Sequence, residues 1–94
     1  MRILIADDDR TSTMMLGRTL VEWGFEVVVV HDGTAAWEHI IGDAPPALAI
    51  VDWMMPGLDG IELCRRIRAT PRKSPVYVIL LTARSSRQDL VAGL

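Results

Sequence analysis

The 94-residue chain is long enough for one small domain, and half of its residues are hydrophobic, so it can bury a compact core. Ten basic and twelve acidic side chains leave a net charge of −2, which gives no electrostatic reason to expect a nucleic acid or an anionic membrane as a partner. The single cysteine excludes an internal disulfide, and no apolar run approaches the roughly 20 residues of a membrane span. We therefore expect a soluble, cytoplasmic protein.

A strand followed by a helix is predicted at the start of the chain. Arg2–Ala6 is a short apolar run of the kind found in buried strands. The helix after it should place Leu16, Leu20 and Trp23 on one apolar face and end at Gly24. Its beginning is marked by a cluster of capping-type residues, Asp8, Asp9, Thr11 and Ser12.

The middle of the chain repeats the order of strand and helix. Phe25–Val30 is rich in β-branched residues and predicts a second strand. A short helix should follow, ended by Gly42 and a Pro-Pro pair. Its apolar residues are Trp37, Ile40 and Ile41. Ala47–Asp52 is again a continuous apolar run that ends in an acid, and it predicts the third strand.

The last third of the chain predicts two more helices and one strand. Asp59 and Glu62 have capping-box spacing at the start of a third helix, in which Leu63 and Ile67 are apolar. Val76–Leu81 predicts a fourth strand, and Ser86 and Asp89 have capping-box spacing for a fourth helix. This alternation predicts an α/β fold, a doubly wound parallel sheet with right-handed crossovers and helices on both faces.

Acidic residues stand where two of the predicted strands end. Asp7, Asp8 and Asp9 follow the first strand, and Asp52 ends the third. Ligands of open α/β sheets gather outside the carboxyl ends of the strands, so the acids should meet if these strands are neighbours. Carboxylates held close together repel one another unless protons or a cation share the site. The acids therefore predict a divalent metal site, with the hydroxyl of Thr82 after the fourth strand on the same rim.

Three segments resemble the receiver domain of two-component response regulators. They are residues 3–9, Ile-Leu-Ile-Ala-Asp-Asp-Asp; residues 51–60, which contain Asp-x-x-Met-Pro-x-x-Asp-Gly; and residues 80–83, Leu-Leu-Thr-Ala. The order and spacing of the segments also match, and the resemblance covers the whole chain. It implies a flavodoxin-like fold and a regulatory domain with at most weak self-phosphorylation and self-dephosphorylation, rather than an enzyme.

The resemblance also implies roles for individual residues. Asp52 would accept a phosphoryl group from a phosphohistidine on a sensor histidine kinase or a histidine phosphotransfer protein. Asp8, Asp52 and the backbone carbonyl of Met54 would bind Mg²⁺, or Mn²⁺, directly, and Asp7 would act mainly through water. Thr82 would contact the phosphoryl oxygens. Mg²⁺ suits such a site because it prefers oxygen ligands and is usually held by one or two carboxylates.

A complete receiver continues beyond the segments found here, into a fifth strand with a functional lysine and a fifth helix. By that resemblance residues 1–94 are one receiver domain, C-terminally truncated, with the output domain absent. Val76–Leu81 would then be the edge of the sheet, and an apolar edge of this kind recruits other chains. We therefore expect self-association through the fourth strand or the uncovered face of the sheet.

Two other functions remain open from the sequence. Asp7-x-Asp9-x-Thr11 matches the nucleophile motif of haloacid-dehalogenase-like phosphatases, which would make Asp7 the nucleophile of a hydrolase. That hypothesis leaves residues 52–60 unexplained. The chain could also be a receiver-like binding module that no longer takes a phosphoryl group. Acids at a helix start often only cap it, and we expect this of Asp9 and Asp59.

Overall fold

Strands and helices alternate in the computed structural model, which describes residues 1–70 and 75–81. The elements are β1 (Arg2–Ala6), α1 (Arg10–Glu22), β2 (Glu26–Val30), α2 (Gly33–Ile41), β3 (Leu48–Asp52), α3 (Gly60–Ala69) and β4 (Tyr77–Leu81). Three of the strands begin one residue later than predicted. The fourth helix predicted from Ser86 and Asp89 lies outside the described residues, as does Thr82.

The four strands form one parallel sheet in the order β2-β1-β3-β4. This confirms the predicted α/β fold. In the pairing of β1 with β3, Ile3 lies opposite Leu48 and Ala6 lies opposite Val51. β2, which follows β1 in the chain, lies on one side of β1, and β3 lies on its other side. The carboxyl ends of β1 and β3 therefore flank a topological switch point, where ligands of such sheets bind.

The core has two layers, one on each face of the sheet. Alternate residues of a strand point to opposite faces, and both faces of β1 are covered, which explains its continuous apolar run. On one face Leu4 and Val51 lie in a buried cluster with residues of α2 and α3, such as Ile40 and Leu63. On the other face Ile3 and Ile5 pack with Leu20 of α1. None of the helices in the described ranges has the length and apolar character needed to span a membrane.

Each described helix is preceded by an aspartate whose side chain accepts hydrogen bonds from backbone N–H groups of the first turn. Asp9 accepts from Thr11 and Ser12 at the start of α1, Asp32 accepts from Ala35 in α2, and Asp59 accepts from Glu62 in α3. The capping roles expected of Asp9 and Asp59 are confirmed. Hydrogen bonds from the Ser12 side chain and backbone hold the pKa of Asp9 below its usual value.

The prediction that Trp23 lies on the apolar face of α1 with Leu16 and Leu20 is wrong, and Ile41 of α2, for which no face was predicted, is exposed as well. Trp23 is 70% exposed and Ile41 is 52% exposed. Trp23 is the C-cap of α1 and Ile41 is the last residue of α2, so both lie where the helix leaves the sheet. Helical periodicity places a side chain against the sheet only while the helix continues to pack on it.

Candidate functional site

Three carboxylates meet at the carboxyl edge of the sheet. Asp7 and Asp8 directly follow β1, and Asp52 is the last residue of the neighbouring β3. One carboxylate oxygen from each lies within 4.8 Å of the others. The sequence predicts that these acids lie close together if the first and third strands are neighbours, and β1 and β3 do pair. Oxygen donors at this spacing could hold a metal ion.

The cluster is partly withdrawn from water. Asp7 is 8% exposed and Asp52 is 3% exposed, whereas Asp8 is open to solvent. Burial raises the pKa of Asp52, the negative charge of Asp7 raises it further, the Met54 backbone partly opposes the shift, and Asp8 adds a smaller upward contribution. The site therefore disfavours an isolated negative charge on Asp52 and favours a positive charge beside it.

One oxygen of Asp52 tests separately whether the site fits a metal. Asp52 Oδ1 is buried and accepts no hydrogen bond from the described residues. A buried carboxylate oxygen without a partner is costly, because it has lost its hydration and gained nothing in return. A hard cation such as Mg²⁺ would supply the absent interaction. The donor set, the burial and the unpaired oxygen all fit a divalent metal.

The loop that carries Asp7 is held by hydrogen bonds to its own residues and to β2. The Asp9 N–H donates to Asp7 Oδ1 over 2.9 Å, which orients that carboxylate. The Asp7 N–H donates to the carbonyl of Val30 over 3.2 Å. On the other side of the same residue, His31 Nδ1 lies 3.0 Å from the Asp7 backbone oxygen. Asp7 is thus fixed through both of its backbone polar groups.

The loop after Asp52 is also closely packed. The Trp53 N–H donates to Leu81 of β4 over 2.7 Å, and the Gly60 N–H donates to the Trp53 carbonyl over 2.8 Å. A Cβ on Gly60 would lie 2.7 Å from the Asp52 carbonyl oxygen, so the backbone can approach this closely only because residue 60 is glycine. The start of α2 supports the loop, because the Gly33 N–H donates to the Pro56 carbonyl over 3.1 Å.

The predicted site residues therefore fall into two groups. Asp7, Asp8 and Asp52 are brought together, and Met54 lies two residues after Asp52 with an exposed side chain. Thr82 lies outside the described residues, although Leu81 is the register partner of Asp52. The contribution of His31 was missed, since a contact between residues 24 positions apart leaves no local pattern.

Comparison with known proteins identifies the family to which this site belongs. The family model described as the response regulator receiver domain matches residues 3–94. The chain belongs to this family. It is accordingly a regulatory receiver domain of the two-component type, as the resemblance predicts. The family model that matches is therefore that of the receiver domain, and it includes residues 7–11, from which the phosphatase alternative was drawn.

Relatives of this receiver domain include complete regulators and solved complexes. The response regulator MprA of Mycobacterium avium is 48% identical over 94 residues, which are all of this chain and 40% of that protein. The response regulator TrrA of Thermotoga maritima, solved in complex with Mg²⁺ and BeF, is 35% identical with a TM-score of 0.77, covering 98% of this chain and 78% of that one. A structure of the histidine kinase ThkA in complex with TrrA also matches, with 33% identity and a TM-score of 0.76. The match covers 90% of this chain and 71% of the matched chain.

Proposed function

We propose that this receiver domain is a phosphorylation-dependent signalling switch in which Asp52 accepts the phosphoryl group. The observation that carries the proposal is the Asp52 carboxylate itself. It is buried at the carboxyl end of β3, its Oδ1 has no partner among the described residues, and two further carboxylates lie within 4.8 Å. A nucleophile beside a cation site is the arrangement that phosphoryl transfer needs, because that reaction depends on positioning and charge neutralisation.

The metal is proposed to be Mg²⁺, with Mn²⁺ as a substitute. Asp8 and Asp52 would bind it directly together with the Met54 backbone carbonyl, and Asp7 would act through water. A bound divalent cation would offset the charge of the acids and of the incoming phosphoryl group. Contacts within the chain orient the acids. The Asp9 N–H donates a hydrogen bond to the Asp7 carboxylate, and Gly60 packs closely against the Asp52 backbone. The TrrA complex with Mg²⁺ and BeF supports this choice of metal.

The donor would be a phosphohistidine on a sensor histidine kinase or a histidine phosphotransfer protein. The ThkA and TrrA complex, in which a kinase binds a related regulator, supports the first of these. Thr82 would contact the phosphoryl oxygens and bias a pre-existing equilibrium at the surface beyond β4. Any catalysis would be slow self-phosphorylation and self-dephosphorylation. The domain would act in the cytoplasm, and its output would belong to another domain or protein. The MprA relative has room for such a domain, because this chain covers only 40% of it.

Self-association also remains a proposal. Among the described residues β4 pairs on one side only, with β3. Its Tyr77 and Ile79 are 67% and 40% exposed and lie two residues apart, so they share a face of the strand. An apolar edge and an apolar face of this kind are surfaces through which chains associate. A second copy of this chain would use β4 or the adjoining sheet face.

The phosphoacceptor is tested by treating the protein with an acyl phosphate and Mg²⁺ and mapping the labelled residue. Label on Asp52, and its absence in an Asp52→Asn variant, is the expected result. Label on Asp7 would move the chemistry to β1 and revive a phosphatase-like mechanism. Absence of label from every aspartate would favour a binding module. Asp43→Asn is the matched control, because Asp43 is exposed and lies between α2 and β3, at the opposite edge of the sheet.

A further inference from the structure

The loop between β2 and α2 contacts both of the loops that carry the acid cluster. His31 Nδ1 lies 3.0 Å from the Asp7 backbone oxygen, on the β1 side of the site. Two residues later, the Gly33 N–H donates to the Pro56 carbonyl in the loop that follows Asp52. This segment offers no carboxylate to the cluster, since Asp32 caps α2 through the Ala35 N–H. It nevertheless connects the two halves of the site.

The contact at His31 has a definite direction. The Asp7 carbonyl oxygen can only accept a hydrogen bond, so Nδ1 carries the proton and the imidazole donates. That carbonyl belongs to the peptide unit between Asp7 and Asp8. The N–H of Asp7 is already bonded to Val30, so the His31 bond fixes the remaining polar group of Asp7. Holding this peptide unit sets the directions in which both carboxylates leave the backbone.

We propose that His31 is a positioning residue for the metal site: its Nδ1–H holds the Asp7 carbonyl so that Asp7 and Asp8 face Asp52 in the arrangement that binds Mg²⁺. The inference rests on the proposed function, because it concerns the same acid cluster. Substitution of a residue that hydrogen-bonds a metal ligand typically weakens metal affinity by about 10- to 100-fold. A hydrogen bond that served only to satisfy the Asp7 carbonyl would affect stability and leave the affinity for Mg²⁺ unchanged.

Two substitutions with the same branching at Cγ separate these roles. His31→Asn keeps an N–H donor near the position of Nδ1, whereas His31→Leu has the same number of side-chain heavy atoms and no donor. Each is titrated with MgCl₂ at one pH while tryptophan fluorescence is followed, since Trp53 adjoins Asp52. Urea unfolding of the same samples reports stability. His39→Leu is the matched control, because His39 is exposed on α2.

The expected result is that His31→Leu weakens Mg²⁺ binding about tenfold, in the range found for partners of metal ligands. His31→Asn should bind Mg²⁺ nearly as tightly as the parent even if its stability changes as much as that of His31→Leu. His39→Leu should bind like the parent. If His31→Leu does not fold, His31→Ala provides the comparison without a donor.

Equal Mg²⁺ affinities in the asparagine and leucine variants would overturn the inference, whether both match the parent or both are weakened. That outcome would leave the proposed function standing, because the parent would still bind the metal. A parent that binds no Mg²⁺ would overturn the proposed function and this inference with it. The two failures are therefore distinguishable in one set of titrations.

Discussion

Replacing Asp52 with asparagine should stabilise the fold in the absence of metal. Asp52 is buried beside Asp7, and burial and the charge of Asp7 both raise its pKa. A raised pKa in the folded state means that folding disfavours the ionised form. The cost is absent at low pH, where the carboxyl is protonated, and it appears as the pH rises through the folded pKa. Asparagine keeps the shape of the side chain and removes the charge.

The size of the effect follows from the geometry of the cluster. At 4.8 Å, the largest separation of the ligand atoms, two unit charges repel by about 3.5 kcal/mol at an effective dielectric constant near 20. Relaxation of the loop reduces the net gain, and the exposed Asp8 adds little because solvent screens it. We expect Asp52→Asn to raise the free energy of unfolding by roughly 1 to 3 kcal/mol at pH 7.

Urea unfolding in EDTA at pH 7 measures this difference in the free energy of unfolding. The comparison is valid if the slope of that free energy against urea concentration is the same in parent and variant. The difference in the free energy of unfolding between parent and variant should narrow as the pH falls through the raised pKa of Asp52 toward the ordinary value of 3.8. It should also narrow in saturating Mg²⁺, which stabilises the parent by binding its folded form. Asp43→Asn should have little effect under any of these conditions. An Asp52→Asn variant as stable as the parent, or less stable, in EDTA would refute the reasoning.

Three further outcomes are expected. Mg²⁺ should bind the parent weakly and quench Trp53 fluorescence, and Asp8→Asn should abolish the response because it removes a direct ligand; a variant that titrates like the parent would contradict the metal assignment. Beryllofluoride with Mg²⁺ should change the fluorescence of the parent and leave Asp52→Asn unaffected, and a response that survives in Asp52→Asn would exclude Asp52 as the acceptor. In sedimentation velocity at high concentration, Ile79→Lys should shift associated protein toward monomer by placing a charge on β4, and a parent that remains monomeric would exclude self-association.

The strands that form the site could be predicted because both are buried on their two faces. The predicted strands Arg2–Ala6 and Ala47–Asp52 are mainly apolar runs that stop at acids, and they match β1 and β3 to within one residue. That β1 and β3 are neighbours could not be derived from the runs, since the same pattern allows several strand orders. The order came only from the family resemblance. The pairing of Ala6 with Val51 is what finally brings Asp7 beside Asp52.

Contacts between loops could not be predicted, because they depend on the packing of elements far apart in the chain. Gly33 and Gly60 gave no signal beyond that of ordinary helix starts. In the folded chain a Cβ on Gly33 would overlap the Leu58 carbonyl, and one on Gly60 would crowd the Asp52 carbonyl. These glycines allow the loop after Asp52 to lie against the start of α2 and against its own strand. Their requirement is visible only once the neighbouring backbone is known.

The three consecutive aspartates after β1 show that environment, and not residue type, assigns a role at this edge of the sheet. Asp7 is buried in the cluster, Asp8 is exposed at its rim, and Asp9 turns away to cap α1. Hydrogen bonds from Ser12 lower the pKa of Asp9, so its charge stabilises the helix start. Burial and the charge of Asp7 raise the pKa of Asp52, so its charge destabilises the fold until a cation arrives. A bound cation would offset the cost of the buried charge on Asp52, whereas the charge of Asp9 is already stabilised at the helix start. Asp52, and not Asp9, is therefore the residue expected to react.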